Sequence, residues 1–124
     1  NMANLHFFRK EYDKTLQLLQ SVEFTDVYYH LDSKSLLLKT YYELDETEAL
    51  QSLIEAFKVY LKRNKKISEY QRNTYNNLVY FANKLLRLQL GKNVDIETMK
   101  SEIAERKLIA DSTWLKSKVE ALGA

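Results

Sequence analysis

The chain of 124 residues contains no cysteine, no proline and only two glycines, Gly91 and Gly123. Without cysteine there can be no disulfide, thiolate nucleophile or cysteine-based metal site. A reducing compartment is compatible with that composition though not required by it, and the expected location is cytoplasmic. Proline breaks helices and glycine weakens them, so their scarcity favours long helices. An all-β sandwich would need many more turn residues. No apolar run approaches the roughly 20 residues that cross a bilayer, and no secretory pattern opens the chain. The chain begins Asn1-Met2 inside a stretch that reads as a helix, so the expectation is a fragment of a longer repeat protein.

What is present is apolar enough to fold. Hydrophobic residues make up 45% of the chain, and nine tyrosines account for most of the aromatic content. That is outside the disordered range and sufficient for a domain with a real core. The formal net charge of +2 conceals a strong asymmetry. Residues 1–57 carry net −5, residues 58–92 carry +8 with Glu69 as the only acid, and residues 93–124 carry −1. A basic segment of this density is a candidate interaction surface.

A spacing of 34 residues organises the first two thirds. Phe7, Tyr41 and Tyr75 are each 34 apart, and Glu11–Leu19 returns as Asp45–Leu53 at the same offset. Such periods mark arrays of helix pairs sharing a stacked core. Helices are expected over about 2–9, 12–22, 26–44, 46–63, 68–90, 95–107 and from Asp111 onward. Asp26 and Asp45 read as N-caps, Asp45 with Glu48 in a capping-box pattern, and Ser68 with Gln71 reads as a second box. Asp95 and Asp111 read as further caps, and Gly91 as a helix C-terminus. Leu50, Leu53, Ile54, Phe57, Tyr60 and Leu61 form one stripe. The helix over 68–90 is apolar on two sides, through Tyr75, Leu78, Ala82, Leu85 and Leu86 and through Val79, Phe81 and Leu88, which suits a helix between neighbours. Beyond residue 92 the period lapses, as in a terminal unit that closes an array, with Trp114 as its large covering residue.

On these residues the chain resembles a tetratricopeptide (TPR-like) repeat over about residues 1–90, and is similar to the C-terminal part of bacterial repeat proteins to which no activity attaches. Ala3, then Thr15 and Ala49, then Val22 and Ala56 stand at the family's small packing positions. Leu19 and Leu53 stand at its large apolar site, and Tyr12 at the aromatic that opens the second helix. Ser33, Leu37 and Leu61 occupy the places of the family's tryptophan, packing glycine and terminal proline. The resemblance implies an all-α, TPR-like array of antiparallel helix hairpins (an α-α superhelix) with a divergent C-terminal capping pair. Its expected divisions are a partial repeat over 1–25, a repeat over 26–63, a long helix over 64–92 and a cap over 93–124.

The resemblance also implies a partner groove lined by the first helix of each hairpin. Carried over, the lining residues are Asn4, Phe7 and Phe8, then Lys34, Leu38, Tyr41 and Tyr42, then Lys65, Arg72, Tyr75 and Asn76. Asn4 and Lys65 match two places of the family's carboxylate clamp, but Ser35 and Glu69 stand at two others, so no clamp is expected.

From the residues themselves, tyrosines suit binding surfaces by pairing contact area with a polar tip, although each could equally pack between hairpins. The basic patch Lys62, Arg63, Lys65, Lys66 and Arg72, within the wider basic segment 58–92, suits an acidic partner or nucleic acid. Interleaved Tyr60, Tyr70 and Tyr80 could stack on bases. The plain alternative is a solvated helix end, where Lys and Arg gather for dipole reasons. His6 and His30 lie in no metal-ligand pattern. The acids Asp45, Glu46 and Glu48 sit where a helix start favours them, and no glycine-rich phosphate loop exists. The expectation is therefore a protein–protein interaction scaffold, not an enzyme, with no cofactor or metal. Nucleic-acid binding is the alternative, and self-association through the N-terminal end a third reading.

Overall fold

A computed structural model of the chain describes residues 2–21 and 27–122; the side chains of Met2, Gln20 and Ser21 are not described. Val22 and the expected cap Asp26 lie outside the described residues. Of the described residues, 80% are helical and none forms a strand. Seven helices follow one another: α1 Met2–Phe8, α2 Tyr12–Ser21, α3 Val27–Glu43, α4 Thr47–Arg63, α5 Glu69–Gln89, α6 Ile96–Glu105 and α7 Ser112–Leu122. The chain divides into two compact units, Asn1–Leu53 and Ile54–Ala124, with the boundary falling inside α4.

In the first unit α1, α2 and α3 pack on one another. The α1–α2 turn is set by Lys10, whose φ is 62°. The Lys10 N–H donates to the Phe7 carbonyl at 2.9 Å and the Glu11 N–H to the His6 carbonyl at 2.8 Å. This crossed pair satisfies carbonyls that the end of a helix leaves open, the Schellman arrangement. The α3–α4 turn repeats it. Asp45 has φ 56°, its N–H donates to the Tyr42 carbonyl at 3.1 Å, and the Glu46 N–H donates to the Tyr41 carbonyl at 3.0 Å.

Two expectations are corrected here. Asp45 closes α3 rather than capping α4: its left-handed backbone reverses the chain two residues before Thr47, where α4 begins. The equivalent turns, at Lys10 and Asp45, are 35 residues apart rather than 34. Counted from the turns, Thr15 corresponds to Leu50, and both have no exposed surface. Ala49, the partner expected for Thr15, is half-buried, and Ala56 is exposed.

Around the first turn the packing is aromatic. The Phe7 ring meets Tyr12 at 5.4 Å between centroids, and the Lys39 ammonium lies 4.8 Å from the Phe7 centroid. Thr15 Oγ1 donates to the Glu11 carbonyl at 3.1 Å and lies 3.4 Å from that of Ala3. Its burial therefore leaves no hydroxyl unsatisfied.

Along α4, Leu50, Ile54, Phe57 and Leu61 are buried, with Leu53 and Tyr60 at the half-buried margin of the expected stripe. In the second unit α7 packs against both α5 and α6. The Ser68–Gln71 box opens α5: Ser68 Oγ accepts from the Gln71 N–H at 3.1 Å and Gln71 Oε1 from the Ser68 N–H at 3.3 Å. Leu78, Val79, Phe81, Ala82, Leu85 and Leu86 are buried on this helix, a band too wide for one packing partner. Gly91, at φ 77°, ends it with a third crossed pair, Gly91 N–H to Leu88 and Lys92 N–H to Arg87.

Asp95 caps α6 through the Thr98 N–H at 3.1 Å, and Met99 and Ile103 face inward from that helix. The segment between α6 and α7 docks along α5. The Ala110 N–H donates to the Thr74 carbonyl at 3.1 Å, and Asn77 Nδ2 donates to the Leu108 carbonyl at 2.7 Å. Trp114 is half-buried, while Leu115 and Val119 carry the buried face of α7.

Candidate interaction surface

The residues assigned to a partner groove meet different fates. In the first unit Phe8 is 79% exposed, whereas Leu38 has no exposed surface at all. Leu38 is therefore a core residue and not a lining residue, a correction with a simple cause. It lies between buried Leu36 and buried Lys39 and Thr40 on a helix whose inner face is wider than one stripe. Asn4, Lys34, Tyr41 and Tyr42 are half-buried. Burial raises the Tyr42 phenol above its ordinary pKa, with the Glu43 and Asp45 carboxylates adding to the shift. Burial lowers that of the Lys34 ammonium, which lines a small cavity of about 120 Å³ with Leu19, His30, Ser33, Leu37 and Leu53.

In the second unit Lys65 and Asn76 are exposed and Tyr75 is half-buried, its ring 6.1 Å from that of Phe57. Arg72 is the second correction. Its guanidinium turns back into the α4–α5 loop, where Nη2 donates to the carbonyls of Asn64 and Ile67, both at 3.2 Å. Its Nε lies 3.3 Å from a Glu69 carboxylate oxygen. Several donors on one guanidinium let it bridge the loop carbonyls and Glu69 together, and the charge that Arg72 brings to the basic patch is committed to its own loop. Lys62, Arg63, Lys65 and Lys66 are exposed, and none of them forms an ion pair among the described residues.

Sequence reasoning missed one place where basic side chains converge. Lys58 of α4 and Asn76, Val79, Tyr80, Asn83, Lys84 and Arg87 of α5 line a groove of about 310 Å³. The α5 members fall at spacings of three and four, which puts them on one helix face. That periodicity is present in the sequence, beside the denser charge at 62–66. Lys84 Nζ lies 4.9 Å from the Tyr80 ring centroid. Lys58 is 3.6 Å from Glu55, an exposed pair of little energetic consequence.

Behind the groove the Tyr80 ring is fixed by a polar network. The Arg106 guanidinium stacks 4.4 Å from its centroid, and the phenol donates to Glu102 at 2.7 Å. Arg106 also donates to Asn77 Oδ1 at 2.9 Å and pairs with Glu102 at 3.5 Å. The Glu102 charge is thereby matched by its own arginine.

His6 is paired with Glu11 at 3.2 Å, and among the described residues no three His, Asp or Glu side chains gather in a way that could hold a metal ion. No described helix is long and apolar enough to cross a membrane. Comparison with known proteins finds no matching family model, no matching curated protein and no matching solved structure.

Proposed function

We propose that this chain is a protein-binding module that takes an acidic polypeptide partner along the basic α4–α5 hairpin of its second unit. The observation that carries the reading is the convergence of Lys58, Lys84 and Arg87 on one groove with the amides of Asn76 and Asn83. The exposed cations Lys62, Arg63, Lys65 and Lys66 stand on the same hairpin. Positive charge without internal carboxylate partners steers and selects acidic partners. The TPR-like arrangement implied by the sequence belongs to the same proposal. It is supported by the recurrence of the same helix-ending turn at Lys10 and Asp45 and weakened by the 35-residue spacing and the exposure of Ala56. No catalytic role is proposed for any side chain.

A protein partner is favoured over nucleic acid by the tyrosines. Single-strand binders offer open aromatic faces for base stacking. Here Tyr80 carries Lys84 and Arg106 against its ring, Tyr60 is half-buried, and of the three only Tyr70, 63% exposed, is open.

The test is fluorescence anisotropy with a labelled poly-glutamate peptide and a labelled single-stranded oligonucleotide. The peptide is expected to bind, to lose most of its affinity to the combined Lys62→Gln, Arg63→Gln, Lys65→Gln, Lys66→Gln variant, and to be unaffected by Tyr41→Ala with Tyr42→Ala. Tighter binding of the oligonucleotide than of the peptide would transfer the surface to nucleic acid. Loss of peptide binding in the tyrosine variant alone would return the contact to the aromatic positions.

A further inference from the structure

We propose that the groove formed by Lys58, Asn76, Tyr80, Asn83, Lys84 and Arg87 is a pocket for a phosphate monoester on the partner, so that phosphorylation of an acidic segment governs its binding. This rests on the reading above and deepens it.

The argument is one of charge and shape. A carboxylate offers a single negative charge and two oxygens. This groove presents two ammonium groups, one guanidinium and two carboxamides around a single volume of about 310 Å³. A phosphorylated side chain carries about −1.5 to −2 at neutral pH and three strong acceptor oxygens, and matches that set where one carboxylate would leave cations unsatisfied. Arg87 can offer two parallel donors to two phosphate oxygens, while the lysines act as point charges. The carboxamides can each donate without adding charge.

The groove is also held ready. Lys84 is held over the Tyr80 ring at 4.9 Å, and that ring is itself fixed by Arg106 at 4.4 Å and by Glu102 at 2.7 Å. A side chain already placed loses less rotamer freedom on binding. Two carboxylates lie nearby and neither occupies the groove's cation set in full. Glu55 is an exposed partner of Lys58 alone, at 3.6 Å, and Glu102 is neutralised by Arg106. Lys84 and Arg87 have no carboxylate partner among the described residues.

The experiment uses the full chain with two labelled peptides, a short poly-glutamate sequence with a central phosphoserine and the same sequence with serine. The phosphorylated peptide is expected to bind at least about 10-fold tighter, a step of about 1.4 kcal/mol. That gain should fall to about 2-fold or less in Lys84→Gln/Arg87→Gln, if its circular dichroism and Tm match the parent, because the charge-assisted bonds are gone. A Lys62→Gln/Lys66→Gln control should weaken both peptides and keep the gain.

Equal affinity for the two peptides overturns the proposal, since the contact would then need carboxylates only. So does a gain that survives in Lys84→Gln/Arg87→Gln. If neither peptide binds, the acidic-partner reading fails by itself, and the pocket is decided by titrating inorganic phosphate into the isotopically labelled chain. Saturating shifts of the Asn76 and Asn83 side-chain amides with phosphate, absent with chloride at equal ionic strength, support it. Their absence ends it.

Discussion

Two side chains show how little residue type says about use. Arg72 belongs to the basic segment by sequence, yet it donates to the Asn64 and Ile67 carbonyls of its own loop. Arg72→Ala should therefore destabilise the fold by about 1–3 kcal/mol, the range for losing hydrogen bonds made by a charged group. It should change acidic-peptide affinity little; urea denaturation and anisotropy on the same protein check both. Arg72→Lys should not fully restore stability, because one ammonium cannot replace Nη2 on both carbonyls and Nε on Glu69 at once.

Asp95 is the opposite case, a residue whose role follows from its neighbours in sequence. Hydrogen bonds from the Thr98 backbone N–H and hydroxyl hold its pKa below the ordinary aspartate value. The native state then holds fewer protons than the unfolded chain, so stability rises with pH across that interval. The stabilisation is complete above the unfolded aspartate pKa and is lost as pH falls through the lower, folded one. The Tm difference between the parent and Asp95→Ala should be largest near neutrality and shrink on acidification. An unchanged difference across that range would deny the cap its ionised form.

At the scale of elements, three helices end in the same crossed pair of hydrogen bonds, at Lys10, Asp45 and Gly91. Each needs a left-handed residue, and only Gly91 meets that need without a Cβ penalty. Lys10→Gly should stabilise the chain by about 0.5–1 kcal/mol, since strain at the exposed Lys10 is relieved. Gly91→Ala should destabilise it by about 1 kcal/mol through strain alone, because a Cβ there meets nothing within 4 Å. Chemical denaturation of the two variants gives opposite shifts in midpoint if the turns are as described, and equal shifts if they are not.

This scale also separates what was legible from what was not. The Ser68–Gln71 box, the Asp95 cap and the Gly91 terminus could be read because each is made within a few residues. Asp45 could not, because aspartate serves both as an N-cap and as a left-handed closer. Which of the two it becomes depends on where α3 stops.

Charge is the property that belongs to the molecule as a whole. Residues 58–92 hold all of the positive excess, while residues 1–57 and 93–124 are net acidic. Acidic-peptide binding should weaken strongly between low and high salt. The screening length falls from about 10 Å at 0.1 M to about 3 Å at 1 M. The residue-scale and element-scale effects above should be nearly salt-independent, since they rest on short hydrogen bonds and backbone strain. Affinity that persists unchanged to 1 M salt would mean that apolar contact, not charge, makes the complex.

The sequence by itself determined helix, and most helix ends, because the absence of proline, the scarcity of glycine and the local caps act over a turn or two. It also determined where positive charge is concentrated, because that is additive along the chain. Only tertiary structure decided which positive charges share one groove. Lys58, Lys84 and Arg87 meet in one groove because α4 and α5 lie together, while Arg72 turns inward to the Asn64 and Ile67 carbonyls of its own loop. Tertiary structure likewise placed Leu38 in the core and set Arg106 against the Tyr80 ring. The contacts of Tyr80 with Arg106 and of Lys58 with the α5 face join residues far apart in the chain, and no local pattern specifies them.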